Sequence, residues 1–473
     1  MSISWSASLS LLAHDYQENE CDTDYRHYSR NEIIKTLGTM TQIEKLYEKY
    51  LESTGICTDS RTLKSGNIFF ALKGPNFNGN TFAQKALDEG ASAVVVDENE
   101  HHQEDGHTIL VDDALKTMQL LSTHHREQLN IPIIGITGSN GKTTSKELIE
   151  AVLAKKYKTF ATQGNLNNHI GVPLSLLSIQ KEHEIAIIEM GANHVGEIAS
   201  YCKMVQPTHG LITNIGKAHI GEFGGFENII IGKSELFDFL KKNDGIPFIN
   251  TQDVVLKNMR KRFSNALTFP NEGDDLELRP EKGTAFLQYT TGEYKNVETN
   301  LVGQFNYLNI AAALCIGQFF GVSMEDGVQA TKDYMPENMR SQMVKTDKYT
   351  IILDAYNANP TSMELAIKSL SSIENTESVV ILGDMLELGD TTEMEHEKLG
   401  ELVVDLGISK RYYCGKQIQF ASKKDNFGKY FETKDELIEH LAAKPLKKGS
   451  TILIKGSRKN ALEEIVPFLV KSD

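Results

Sequence analysis

Ile136-Thr-Gly-Ser-Asn-Gly-Lys-Thr-Thr144 decides how the rest of this chain is read. It overlaps the short apolar run Ile133–Thr137, and beyond it Leu148, Ile149, Val152 and Leu153 recur on one side of a helix. Strand, glycine-rich turn and helix in that order make a seat for a nucleoside triphosphate. Gly138 and Gly141 let backbone N–H groups approach the phosphates, and the positive end of the helix dipole faces them. Lys142 can reach the β- and γ-phosphates, and the Thr143 hydroxyl can take a Mg²⁺ position. The expected triphosphate contacts are therefore Gly138, Ser139, Asn140, Gly141, Lys142, Thr143 and Thr144. The strict pattern has glycine where this chain has Ile136, so the loop is a variant. The competing reading is a glycine-rich turn with an exposed lysine.

Outward from this loop, short apolar runs alternate with helical stretches. Ile185–Ile188, Gly210–Thr213 and Pro247–Asn250 predict strands of a mainly parallel sheet covered on both faces, with β-hairpins over Leu276–Val302. Upstream, Ile68–Leu72, Ala93–Val96 and Thr108–Val111 surround a helical stretch at Thr81–Glu89. Downstream of Tyr334-Met-Pro-Glu-Asn338, strands are predicted at Thr350–Asp354, Ser378–Leu382, Arg411–Cys414 and Ser450–Ile454. The expected fold class is α/β in three domains: a small one over 40–130, a central P-loop domain over 131–334, and a Rossmann-like one over 335–473. Residues 1–39 are polar and aperiodic, and read as a disordered tail before a helix at Thr41–Leu51.

With 49 Lys and Arg against 64 Asp and Glu, the net charge is −15. So acidic a surface repels nucleic-acid backbones and anionic membranes, and neither is an expected partner. The five cysteines include no C-x-x-C pair, which fits a reducing, cytoplasmic compartment. The most apolar stretch, Ile310–Val322, is broken by Gly317 and Gln318 and falls short of the roughly 20 residues that span a bilayer. The third unit has no G-x-G-x-x-G, so a nicotinamide or flavin site has no support.

Two further groups sit at predicted strand ends. Glu189 follows Ile185–Ile188 and can supply a second metal ligand, or be an ordinary strand-end acid. His219, in Asn214-Ile-Gly-Lys-Ala-His-Ile-Gly221, reads either as a metal ligand or as a structural histidine.

With these pieces in place the chain resembles the ATP-dependent Mur ligases of peptidoglycan synthesis, from Thr58 to the C-terminus. Thr58-Asp-Ser-Arg61 and Ile68-Phe-Phe-Ala-Leu-Lys-Gly74 are similar to that family's uridine-nucleotide domain. Thr137–Thr144, Gly164-Asn-Leu-Asn-Asn-His-Ile-Gly-Val-Pro173 and Ile188-Glu-Met-Gly-Ala-Asn-His194 are similar to its ATPase domain. Asp354-Ala-Tyr-Asn-Ala-Asn-Pro-Thr-Ser-Met363, Leu382-Gly-Asp-Met-Leu-Glu-Leu-Gly389 and Ile454-Lys-Gly-Ser-Arg458 are similar to its C-terminal domain.

The resemblance implies roles for individual residues. Lys142, Glu189, His219 and Lys233 would be catalytic, with Thr143, Glu189, His219 and a carbamylated Lys233 as magnesium ligands. Read alone, Lys233 is a solvated helix lysine. Asn306, Asn309, Arg340 and Asp354 would contact the nucleotide. Ser60, Arg61, Asn165, Asn167, Asn168, Tyr356, Asn357, Asn359 and Ser362 would contact the acceptor and the amine. Phe305 stands where the family usually has histidine, and Asn78-Gly-Asn80 replaces its usual acidic and histidine residues. The turn Tyr356-Asn-Ala-Asn-Pro-Thr-Ser362 differs from the Asp-Asn-Pro-Arg of members that add one amino acid. It implies a dipeptide, D-alanyl-D-alanine, joined to UDP-N-acetylmuramoyl-tripeptide by a monomeric enzyme. The alternatives are a sibling ligase adding a single amino acid and a non-catalytic nucleotide-binding scaffold.

Overall fold

The computed structural model describes residues 30–104, 106–281, 286–337, 339–373 and 377–471. The chain divides into two compact units, Met1–Ser53 and Thr54–Asp473. In the first, one helix runs Arg30–Glu52, with Tyr47 stacked on Tyr50. It starts well before Thr41, so residues 30–39 are helical rather than part of a tail. Ile33, Leu37 and Met40 continue at helical spacing the apolar stripe of Ile43, Tyr47 and Tyr50, so the periodicity extends further upstream than the expected helix start. The rest of the expected tail, residues 1–29, lies outside the described residues.

The second unit is α/β throughout, as expected. Its first sheet orders the parallel strands Ile56–Cys57, Ile68–Phe70, Ala93–Val96 and Thr108–Leu110. A helix at Ala114–Gln128, capped by the Asp113 carboxylate, leads out of it. Buried Arg126 on that helix donates to the carbonyls of Val205 and Gln206, fixing this sheet's last helix to the next layer.

The central sheet has six parallel strands in the order Leu267–Phe269, Ile246–Asn250, His209–Ile212, Ile133–Thr137, Ile185–Glu189, Thr159–Ala161. Every residue of Ile133–Thr137 and Ile185–Glu189 is buried, because helices cover both faces. Chain connections leave Ile133–Thr137 in both directions across the sheet. The crevice at its C-terminal end is therefore the topological switch point where α/β sheets bind ligands. A three-stranded antiparallel sheet, Arg279–Pro280, Phe286–Thr291 and Tyr294–Val302, is appended.

The last sheet orders Gln342–Lys345, Thr350–Asp354, Thr451–Lys455, Ser378–Leu382, Lys410–Cys414 and Lys429–Phe431, antiparallel only at the first pair. Among the described residues no helix is long and apolar enough to cross a membrane.

Candidate active site

The glycine-rich loop is held from both sides. Gly138 has φ 140°, and a Cβ there would collide with Thr213. Gly141 has φ 77°, and its Cβ would lie 2.7 Å from the Asn309 side-chain oxygen. Ser139 Oγ donates to the Gly216 carbonyl (2.9 Å), and the Asn140 N–H to Asn214 Oδ1 (3.1 Å). The helix Lys142–Leu153 then begins. Thr143 Oγ1 donates to Glu189 Oε2 at 2.9 Å, and Asn167 Nδ2 to the other carboxylate oxygen at 2.7 Å. The hydroxyl and carboxylate expected to share a magnesium ion thus meet. They are hard oxygen ligands, as that ion requires.

Lys142 is half-buried rather than on the surface, and its Nζ donates to the Gly138 carbonyl at 2.7 Å. Burial pushes its pKa down, Glu189 pulls it back up, and Arg340 lowers it further.

Lys233 overturns its reading as a solvated lysine. It is 1% exposed, donates to the Ala192 carbonyl at 2.9 Å and lies 5.2 Å from the centre of the Phe223 ring. Burial drives its pKa well below 10.5, aided by Lys142 and opposed by Glu197 and Glu235. A lowered pKa raises the share of the amine in its neutral, nucleophilic form.

His219 has φ 55°, and its Nδ1 sits 2.5 Å from Glu387 and 3.6 Å from Glu222. That contact holds the Glu387 carboxyl below its usual range against the effect of burial. Sequence reading found neither carboxylate. Glu387 lies 168 residues away in the chain, and only tertiary packing brings it near.

The far wall comes from the C-terminal sheet. The Arg340 guanidinium stacks 3.9 Å from the centre of Tyr356. Asp354 pairs at 2.7 Å with Lys455, which is 1% exposed and also donates to the Asn357 carbonyl. Asn359 and Ser362, expected to contact substrate, line the cleft and also form a capping box on the helix Pro360–Ser371. Asn359 Nδ2 then reaches across to Asn140 Oδ1 at 2.7 Å, so this side chain faces the phosphate loop and not the C-terminal side alone.

Asn306, Asn309, Asn165, Asn167, Asn168, Arg340, Asp354, Tyr356 and Asn357 all line one cleft of ≈ 780 Å³, together with the loop, Glu189 and His219. Asn306 and Asn309 are themselves bonded, the first to the Val302 carbonyl and the second to Asn306. Ser60 and Arg61 do not line this cleft, and the exposed Arg61 pairs with Asp59.

Comparison with known proteins follows the same geography. Residues 136–317 match the Mur ligase middle domain, 339–458 the Mur ligase glutamate ligase domain, and 52–151 the Mur ligase family catalytic domain. The UDP-N-acetylmuramoyl-tripeptide–D-alanyl-D-alanine ligase of Bacillus subtilis is 36% identical over 93% of this chain and 98% of its own length. That of Escherichia coli is 33% identical over 92% and 98%. A crystal structure of MurF from Acinetobacter baumannii superposes with TM-score 0.79 at 32% identity, covering 88% of this chain and 93% of that one. MurF ligase from Thermotoga maritima in complex with ADP gives 0.78 at 28%, covering 89% and 98%. The chain belongs to the Mur ligase family.

Proposed function

We propose that this chain is an ATP-dependent ligase that joins D-alanyl-D-alanine to UDP-N-acetylmuramoyl-tripeptide, forming ADP, phosphate and the pentapeptide precursor of peptidoglycan. The observation that carries this reading is one cleft shared by a triphosphate seat, Lys142 with Thr143 and Glu189, and an uncharged turn at Tyr356–Asn357. The relatives' names supply the substrates.

Joining a carboxylate to an amine in water is uphill. In the proposed sequence a tripeptide carboxylate oxygen attacks the γ-phosphorus, the bond to the β,γ-bridging oxygen breaks, and ADP leaves. The dipeptide amine attacks the resulting acyl carbon, gives up a proton, and inorganic phosphate departs. Positioning and charge stabilisation dominate such transfers. Lys142 and the loop N–H groups hold the β- and γ-phosphates. Thr143, Glu189, His219 and a carbamylated Lys233 would hold magnesium, which when bound offsets the triphosphate charge. Asn306, Asn309, Arg340 and Asp354 support the nucleotide, and Asn165, Asn167 and Asn168 the acceptor peptide. Ser60 and Arg61 serve the uridine end in domain 40–130, apart from the cleft. Tyr356 and Asn357 meet the dipeptide. Asn359 and Ser362, which line the same cleft and cap the helix Pro360–Ser371, meet it as well. Nucleotide substrates support a cytoplasmic enzyme, and it is proposed to act as a monomer.

The test is product mass after incubation with ATP, UDP-N-acetylmuramoyl-tripeptide and D-alanyl-D-alanine. Equal turnover with L-lysine or meso-diaminopimelate would move the chain to a sibling ligase. No dipeptide-dependent phosphate release would leave only a scaffold.

A further inference from the structure

A dipeptide brings its own carboxylate into the cleft, and the turn at Tyr356–Asn357 carries no cation to meet it. A carboxylate taken out of water needs a partner. Among the described residues four Lys and Arg side chains line the cleft: Lys142, Arg340, Lys455 and Arg458. Three of them are committed elsewhere. Lys142 belongs to the phosphate loop and donates to the Gly138 carbonyl. Arg340 lies over the Tyr356 ring and close enough to Lys142 to lower its pKa, so it serves the triphosphate side. Lys455 is buried, paired with Asp354 and bonded to the Asn357 carbonyl. The N-terminus of the helix Pro360–Ser371 is the other natural seat for an anion, but its own cap closes it and Pro360 has no N–H.

Arg458 is left, and the fold brings it beside the amine-side turn. Strands Thr350–Asp354 and Thr451–Lys455 are parallel neighbours with Asp354 opposite Lys455, so residues 355–359 and 456–460 leave the sheet side by side. Ser457 Oγ donates to the Asp384 carbonyl at 2.7 Å and Asn460 Nδ2 to the Asp384 carboxylate at 3.1 Å, which pins the backbone on both sides of Arg458. Arg458 Nη1 pairs with Glu463 and lies 3.6 Å from the sulfur of Met339, the neighbour of Arg340. A guanidinium offers five N–H donors. Among the described residues Nε and Nη2 of Arg458 have no partner, so Glu463 holds the group and leaves another edge free.

We propose that Arg458 is the carboxylate receptor for the incoming dipeptide and takes it on the edge formed by Nε and Nη2. The inference rests on the ligase reading of this cleft. A planar guanidinium edge matches the two oxygens of a carboxylate, and two parallel N–H···O bonds fix direction as well as position. Such a receptor also measures length. One more residue adds about 3.5 Å between amine and carboxylate. A single amino acid held by its carboxylate at Arg458 therefore stops short of the acyl carbon that the dipeptide amine reaches. Selection for a dipeptide then needs no charge in the turn itself.

The experiment uses the full chain with ATP, acceptor and either D-alanyl-D-alanine or its C-terminal amide, which keeps the amine and loses the charge. Wild type should prefer the acid about 10- to 100-fold in kcat/KM, the loss expected when one charge-assisted contact is removed. Arg458→Gln should lose that factor with the acid and use the amide as wild type does, because the change in enzyme and the change in substrate remove the same contact. Arg458→Lys keeps the charge without the fork, and its preference should fall between the two. KM for ATP, KM for the acceptor and melting temperature should not change in either variant, which separates a receptor from a structural ion pair. An Arg458→Gln variant that prefers the acid as strongly as wild type, a wild type that uses acid and amide equally, or a loss shared by KM for ATP overturns the proposal. A wild-type protein without dipeptide-dependent product would instead overturn the ligase reading itself.

Discussion

Gly221 is the position where one methyl group tests the whole arrangement. It lies in the short helix Ile220–Phe223, and its N–H donates to the Glu387 carbonyl at 3.1 Å across the seam between the central and C-terminal sheets. A Cβ at Gly221 would stand 2.7 Å from the Gly389 nitrogen, 2.9 Å from the Glu387 oxygen and 3.0 Å from the Leu388 carbonyl carbon. All three are backbone atoms, which cannot swing aside as a side-chain end does. Gly221 itself has no left-handed φ, so Gly221→Ala introduces no local strain and gains up to about 1 kcal/mol of helix propensity. Against this stands overpacking of about 1–3 kcal/mol. Relief requires residues 387–389 to move away, which also loosens the pair of His219 with Glu387. A net bias of about 1–2 kcal/mol against the docked seam lowers the ratio of docked to open forms about 5- to 30-fold. With the open form the more populated before closure, phosphate release at saturating substrate should fall by about that factor. The thermal transition should move little, because no core residue changes. Turnover above half of wild type would refute the view that this backbone approach persists during catalysis.

Lys142→Ala should leave less than a tenth of wild-type ligation with an unchanged melting temperature, since among the described residues its Nζ hydrogen-bonds one backbone carbonyl, that of Gly138; higher turnover would sink the phosphate-loop assignment. Lys233→Ala, or removal of bicarbonate from wild type, should cut activity, and short carboxylic acids should partly rescue the variant by replacing the carbamate; full activity in Lys233→Ala would refute the carbamate. His209 is buried against Phe248, Phe319 and Phe320, and burial pushes its pKa from 6.5 down to about 4. The unfolded chain therefore binds the extra proton first: stability is full above pH 6.5 and is lost as pH falls through the folded value, by at most about 3 kcal/mol. Urea titrations between about pH 7.5 and about pH 4.5 should show His209→Leu losing less stability on acidification than wild type, and equal losses would argue against it.

Where the sequence was legible follows from burial. Ile133–Thr137, Thr350–Asp354 and Ser378–Leu382 were located to the residue because each lies inside its sheet and is almost wholly apolar. Among the strands not anticipated, Thr159–Ala161, Leu267–Phe269, Gln342–Lys345 and Lys429–Phe431 are all sheet edges. An edge strand is short and buries fewer of its side chains, so it leaves no continuous apolar run. The site divides in the same way. The phosphate loop was visible because its residues are consecutive and each serves one ligand. Lys233, Glu387 and the Asn140–Asn359 pair were not, because what matters about them is which distant residue they meet. In sequence Lys233 reads as solvated, whereas the helix Phe226–Lys242 buries it against Ala192 and Phe223.

The seam between the last two sheets is made of a different kind of contact from the layers it joins. The central sheet is covered by large apolar clusters, and the C-terminal sheet has its own on each face. Across the seam the contacts are mostly short and polar: Asn359 to Asn140, Lys217 N–H to Thr361, Lys217 to the buried Glu395, Gly221 to the Glu387 carbonyl, and His219 to Glu387. Ile220 packs partly against both sides, and Val302 and Phe286 of the appended sheet join the C-terminal apolar cluster. Exposed pairs and neutral hydrogen bonds of this kind contribute about 1 kcal/mol each, and water can replace them when they part. A polar interface between separately cored bodies opens far more cheaply than either core. That matches what three-substrate chemistry demands, since ATP, acceptor and dipeptide must enter a cleft that afterwards excludes water. The same contacts that make opening cheap also make closure selective: Asn359 and Glu387 can meet Asn140 and His219 only when the amine-side turn lies over the phosphate loop.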